Sequence, residues 1–419
     1  MEKIVNKMYL KIMPLILLMF CLAMLDRSNI AYVKDYIAID AGISNSAYAL
    51  GAGIFFIGYA IFEVPSNLLL HKLGAKVWLS RIMVTWGLVC MAMMFIKDET
   101  SFYILRFLLG LSEAGFSPGV ILYLSYFFPT AYRSKAYGFY QLGAPLALML
   151  GGVITGAILD YAPSIWFKNW QWMFIIQGAI TVVVGVYAFF KLASKPEDAK
   201  YLSEEEKQIL LNELAKEQAS KKDCNTSKAL TSLLVWKFVL VYFAIQLSVY
   251  GVLFYLPTQV SHFLGTSVGL KVGLISAIPW LVVLIALPII TSYADKLKSW
   301  SSFSIALLFL AVLCMFISVF MNSLALFILF ISLAAVGFIV IQPIFWNLPT
   351  QVLKGTGAAA GIALIGALGN LGGFVAPNLK TLAENQFNNS YAGLIALCLV
   401  AFLGVLMLIH LKKSYKNIK

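Results

Sequence analysis

Long apolar runs alternate with short polar stretches along the chain, and twelve of the runs are long enough to cross a membrane. They fall at roughly 8–33, 48–70, 77–96, 101–128, 136–160, 170–191, 233–262, 270–293, 301–321, 324–346, 356–379 and 390–411. A helical crossing needs about 20 apolar residues, because each residue advances the helix by only ~1.5 Å against ~30 Å of hydrocarbon. The pattern predicts an all-α membrane protein with twelve transmembrane helices. One polar segment, Lys191 to Ser232, leaves six runs on either side. Within it Ser203 and Glu206 have capping-box spacing, and Ile209, Leu210 and Leu214 are placed for the apolar face of a surface helix.

Residues 1–191 and 233–419 are therefore expected to form two six-helix bundles joined by a linker over 192–232. Short echoes support a duplicated unit. Phe127-Phe128-Pro129-Thr130 closes span four as Asn347-Leu348-Pro349-Thr350 closes span ten, and Lys72-Leu73 follows span two as Lys296-Leu297 follows span eight.

Composition agrees: of 419 residues, 61% are hydrophobic and 12% charged, about half the charged share of soluble domains. A net charge of +12 raises nucleic-acid binding as an alternative, and the positions of the charges decide against it. With both termini and the linker cytoplasmic, Lys34, Lys97, Lys168, Lys271 and Lys380 lie outside. Arg27 and Arg106 lie within spans, and the remaining 24 of the 31 Lys and Arg lie inside. That asymmetry is the positive-inside pattern of a membrane protein.

The five cysteines, Cys21, Cys90, Cys224, Cys314 and Cys398, form no CxxC pair, and His71, His262 and His410 are isolated. No disulfide framework, metal site or cofactor is expected. The stretch from Met1 to Met24 has the charge pattern of a signal peptide but no small-x-small cleavage site, so it reads as a retained first helix.

Five ionisable residues fall within apolar spans at least five residues from either end: Asp26 and Arg27 in span one, Glu63 in span two, and Arg106 and Glu113 in span four. Each costs ~2.5–3.5 kcal/mol to insert unless a partner or a water-filled cavity receives it. Three carboxylates against two guanidiniums leave one negative charge, which one proton would neutralise. Two readings follow, a proton-binding site and a fixed ion-pair network that only holds helices together. Arg106 and Glu113 are seven residues apart, ~10.5 Å along one helix face, too far to pair directly. Asp26 and Arg27 are the expected partners from another helix.

Arg27 is the candidate substrate anchor, since its planar fork matches a carboxylate; neutralisation by Asp26 is the structural alternative. Glu63, near the inner end of span two and one turn after Tyr59, suits capping or gating. The second half offers only neutral groups within its spans: Gln246, Tyr250, Tyr255, Gln342, Trp346, Asn347, Asn370 and Asn378. They can orient a bound acid or join helices. Coupling is thus expected in the N-terminal half and selectivity mainly in the C-terminal half. Glycine-rich faces in spans five (Gly138 to Gly156) and eleven (Gly357 to Gly373) permit close helix approach and rocking.

The strings LDRSNI (Leu25 to Ile30), GAGIFFIGYAIFEVPSN (Gly51 to Asn67), RFLLGLSEAGFSPGVILYLSYFFP (Arg106 to Pro129) and GTGAAAGIALIGALGNLGGFVAP (Gly355 to Pro377) resemble the anion:cation symporter family of the major facilitator superfamily. The linker's Pro196-Glu197-Asp198 and Leu202-Ser203-Glu204-Glu205 are similar too. The resemblance implies the major facilitator fold, two pseudo-symmetric six-helix bundles. It implies proton-coupled uptake of a small organic anion across the bacterial inner membrane: a sugar acid, a dicarboxylate such as tartrate, or an aromatic acid. The partners implied are the anion, protons and membrane lipid, with the chain working as a monomer.

By the same resemblance Asp26 and Glu113 carry protons, Arg106 links them to the site and Arg27 contacts the carboxylate. Tyr59, Gln141, Trp346 and Asn370 line the pocket, beside the Tyr250 and Asn347 candidates. The inner gate is assigned to Glu63, Lys72, Asp295 and Lys296. One departure stands out: the loop after span two reads His71-Lys72-Leu73-Gly74 without the usual acidic residue, whereas Asp295-Lys296 keeps it. A facilitator or exchanger of the same fold and a non-transporting sensor are the alternatives.

Overall fold

The computed structural model describes residues 1–219, 232–297, 299–352, 356–389 and 391–416; Cys224 and Lys298 lie outside the described residues. Among these, all regular structure is helical. Twelve helical spans are long and apolar enough to cross a membrane. They are Glu2–Tyr32, Asn45–Leu70, Ala75–Phe95, Glu99–Phe127, Lys135–Tyr161, Asn169–Lys191, Leu233–Leu264, Leu270–Leu297, Trp300–Val319, Leu324–Thr350, Gly361–Phe387 and Ala392–Lys413. We number them spans one to twelve. They match the twelve apolar runs with shifted ends. Span one, for instance, starts at Glu2 because Ile4, Val5 and Met8 are buried while Lys3 and Lys7 stay in solvent on the opposite face.

Several spans are broken, and the breaks position the site. Span four consists of Glu99–Glu113 and Phe116–Phe127; the chain turns at Ala114-Gly115, where Gly115 has φ +84°, open to glycine at little cost. Span one ends in a 3₁₀ turn, Asn29–Tyr32. Spans five and eleven are interrupted at Leu142 and Leu371, after helices Thr130–Gln141 and Thr356–Asn370. The helix of span two ends at Leu73, before Gly74.

The linker helix, Glu204–Ala219, starts as its sequence dictates. The Ser203 amide donates to Glu206 Oε2 at 2.8 Å and the Glu206 amide to Ser203 Oγ at 3.2 Å. Lys7 donates to the same carboxylate at 2.8 Å, and these bonds hold the Glu206 carboxyl below its ordinary range, the Lys7 bond foremost. Leu210 is fully buried and Leu214 packs partly against the core, but Ile209 is half exposed. The buried stripe of this helix is one residue narrower than its periodicity suggested.

In the first half, span one packs on five and six, two on four, and three on four and six; in the second, seven packs on ten, eleven and twelve, and nine on ten and twelve. Between the halves, span five packs on eight and eleven on two. Large apolar side chains such as Ile61, Val183, Ile285 and Leu403 point outward, as a bilayer requires and water would penalise.

Twelve crossings return both termini to one face, and the halves are sealed at the opposite face. There Gly152 and Gly156 of span five meet Gly273 of span eight and Gly269 just before it so closely that a Cβ on Gly156 would lie 2.5 Å from the Gly269 carbonyl oxygen. Asp160 accepts from the Leu270 amide at 2.8 Å, Tyr36 donates to the Val268 carbonyl at 2.7 Å and Tyr48 to the Phe254 carbonyl at 3.3 Å. Among the described residues, every hydrogen bond joining the two halves lies at this face or at Arg27.

Candidate functional site

Arg27 stands where the two halves meet. It lies in the last turn of helix Glu2–Ser28, whose free carbonyls favour a cation. Its Nη2 donates to Glu113 Oε1 in a direct ion pair, and its Nη1 donates across to the Tyr250 hydroxyl of span seven at 3.0 Å. The guanidinium carbon lies 5.1 Å from the Phe55 ring centroid and 5.3 Å from that of Tyr59, within cation–π range. Glu113 is the last residue of its helix, an unfavourable place for a carboxylate; Arg27 offsets that.

Arg106 does not pair with a carboxylate. It donates from Nε to the Gly51 carbonyl at 3.2 Å and from Nη2 to the Ala52 carbonyl at 3.1 Å, with its guanidinium 5.1 Å from Phe55. Phe55 thus lies equally near both guanidiniums. Arg27 Nε, Glu113 Oε2, Arg106 Nη1, Glu63 Oε2 and Gln246 Oε1 are buried without a hydrogen-bond partner within the protein. Buried polar groups are nearly always paired, and unpaired atoms on five residues across spans one, two, four and seven offer donors and acceptors to a charged, hydrogen-bonding ligand.

Asp26 sits elsewhere. Its Oδ2 accepts from Trp86 Nε1 at 2.9 Å and Thr181 Oγ1 at 2.7 Å, on the side of spans three and six, and Oδ1 has no partner. One turn further along, Asn29 donates to Gln177 at 3.0 Å, and Gln177 to Thr155 at 2.8 Å. The expectation that Asp26 and Arg27 together answer Arg106 and Glu113 is half met. Arg27 answers Glu113, but successive helical residues point ~100° apart, so Asp26 faces the interior of its own half.

The other expected residues divide likewise. Tyr59 and Tyr250 flank Arg27. Gln246 donates to Asn370 at 2.6 Å, and Trp346 packs on Tyr242 with centroids 4.9 Å apart. Gln141 donates to Tyr137 at 2.8 Å. Asn347 donates to the Pro343 carbonyl of its own helix at 3.3 Å, so its amide caps locally. Lys72 and Lys296 are exposed and form no ion pair among the described residues, while Asp295 accepts from Trp300 at 2.9 Å. The inner charges assigned to a gate are not brought together in this arrangement, which is closed at the other face. Trp86, Thr181, Phe55 and Tyr242 escaped sequence reading; a lone Thr181 amid an apolar span was the one available signal.

The family model described as Major Facilitator Superfamily matches residues 16–377. The Escherichia coli (strain K12) "Inner membrane transport protein RhmT" is 42% identical over 412 residues, 98% of this chain and 96% of that one. The Agrobacterium vitis "Putative tartrate transporter" is 39% identical over 393 residues, 93% of this chain and 90% of that one. Among solved structures, a partially occluded inward-open form of the E. coli xylose transporter XylE superposes with a TM-score of 0.73 at 16% identity, over 96% of this chain and 98% of that one. That structural match speaks for the fold alone.

Proposed function

The chain belongs to the Major Facilitator Superfamily, and on that premise we propose that it imports a small organic anion together with protons, by alternating access, across the bacterial inner membrane with both termini cytoplasmic. The name "Inner membrane transport protein RhmT" of one relative supports the location, and the name "Putative tartrate transporter" of another supports the substrate class. The observation that carries the reading is the Arg27–Glu113 pair bridged to Tyr250.

A substrate carboxylate reaching Arg27 competes with Glu113 for the same fork. Glu113, released into an apolar interior with a second oxygen already unpaired, is stable there only with a proton bound, because an uncompensated buried charge costs several kcal/mol. Anion binding and proton binding are thereby linked through one guanidinium. Tyr250 moves with the second half, so occupancy of Arg27 is also felt across the interface. Asp26, held apart by Trp86 and Thr181, serves as a second proton carrier.

Uptake of labelled tartrate, gluconate and benzoate into right-side-out vesicles tests the reading. Accumulation of one of them above equilibrium only when the outside is acid supports symport. Equilibration indifferent to the gradient would make the chain a facilitator.

A further inference from the structure

Five lysines lie on the sealed face or in its loops, and they are not equivalent. Lys97, Lys168 and Lys271 are exposed, and Lys168 is answered by Asp40 at 2.5 Å. Lys34 and Lys380 instead sink into the seam between the halves, Lys380 with only 7% of its surface exposed. Lys380 Nζ lies 3.9 Å from the Tyr255 ring centroid and donates to Glu384 at 2.6 Å. Lys34 Nζ, from the other half, lies 5.5 Å from the centroids of both Tyr48 and Tyr255 and makes no hydrogen bond or ion pair among the described residues. Two cations from opposite halves thus share one aromatic ring, with a single carboxylate paired to one of them. Burial, and then the charge of Lys380, push the Lys34 amine below its ordinary range.

Such an arrangement costs free energy in the closed state, and an outer loop lysine free in solvent would avoid it. When the halves part on this face, Lys34 and Tyr48 leave with one and Lys380 and Tyr255 with the other. We propose that Lys34 and Lys380 form an anion-capture site at the outer mouth, which takes the carboxylate of the incoming organic acid and passes it inward to Arg27 as the face closes. The proposal rests on the organic-anion reading given above.

Closure returns Lys34 to the Tyr48 and Tyr255 rings, whose negative faces replace the acid's carboxylate, and Lys380 to the Tyr255 ring with Glu384 as its counter-charge. The displaced anion has a short way to go: Tyr255 sits in the turn between helices Leu233–Leu253 and Leu256–Leu264, five residues after Tyr250, and Tyr250 holds Arg27.

Half-saturating concentrations for tartrate, gluconate and benzoate are to be measured in right-side-out and inside-out vesicles, at low and high salt. In Lys34→Gln with Lys380→Gln, the value from the outer face is expected to rise about fivefold at low salt and to converge on wild type near 0.5 M salt, as a charge effect must. From the inner face it stays at the wild-type value, which shows that the protein is folded. Lys34→Arg keeps wild-type behaviour, and Lys34→Gln alone carries the test if the double variant fails to reach the membrane. No change, or an equal change from both faces at every salt concentration, overturns the proposal while leaving the symport reading intact. A wild type that carries none of the three acids overturns both.

Discussion

Asp26 and Arg27 are adjacent in sequence and serve opposite sides of span one: Arg27 pairs with Glu113 and Tyr250 at the seam between the halves, and Asp26 pairs with Trp86 and Thr181 inside the first half. A substrate carboxylate and a proton can then be bound on neighbouring residues without competing for the same atoms.

The two carboxylates should therefore fail differently when neutralised. Glu113→Gln leaves Arg27 without its ion-pair partner, so anion binding is kept or tightened while gradient-driven accumulation is lost. Asp26→Asn also abolishes accumulation but leaves the affinity unchanged, because Asp26 does not touch Arg27. Trp86→Phe displaces the pH profile of uptake with the half-saturating concentration unmoved. Parallel binding and uptake assays separate these outcomes; identical phenotypes for the two carboxylate variants would contradict the separation of roles.

Arg27→Lys retains the charge but cannot reach Glu113 and Tyr250 with one fork. Tyr250→Phe leaves Arg27 Nη1 unpaired, at a cost of about 1–3 kcal/mol. Both should raise the half-saturating concentration, the tyrosine variant by about tenfold, and Tyr250→Phe should leave the pH profile as it is. An unchanged affinity in both would reduce Arg27 to a structural ion pair.

Valine at Gly156 or Gly273 should hold the outer face open, because the added carbons meet the backbone of span eight or span five. The expected result is anion binding without uptake. Uptake at the wild-type rate would show that the two spans tolerate a wider spacing.

Outside the membrane, Asp98 caps helix Glu99–Glu113: the Ser101 amide donates to it at 2.7 Å, and chiefly this bond holds its carboxyl below the ordinary range. A depressed carboxyl contributes stability above its unfolded pKa and loses it as pH falls through the folded one. Asp98→Ala should lower the melting temperature at neutral pH, with the difference closing in acid below the usual carboxylate range. A difference independent of pH would assign the effect to something other than the cap.

Much of this was legible in the sequence. Hydrophobic run length gave the twelve crossings, the Ser203/Glu206 spacing gave the linker cap, and the cost of burying a charge singled out Asp26, Arg27, Glu63, Arg106 and Glu113. Direction was harder to read. Whether Asp26 turns toward Arg106 or toward Trp86 depends on how span one is rotated against spans three and six, and no local pattern encodes that rotation. Asn347 looked like a pocket residue because its type suits one, yet its side-chain amide turns back one turn along its own helix to the Pro343 carbonyl. The seal between spans five and eight escaped for the same reason: glycines announce close approach without naming the partner.

The linkage between anion and proton at Arg27 is tested most directly by following protons while an anion binds. Purified protein in weakly buffered detergent solution near neutral pH, mixed with an acid that it transports, should take up about one proton per anion bound as Glu113 leaves Arg27. Glu113→Gln should bind the same acid with no proton uptake. Saturable binding to the wild type with no proton movement, or equal uptake in Glu113→Gln, would contradict the account.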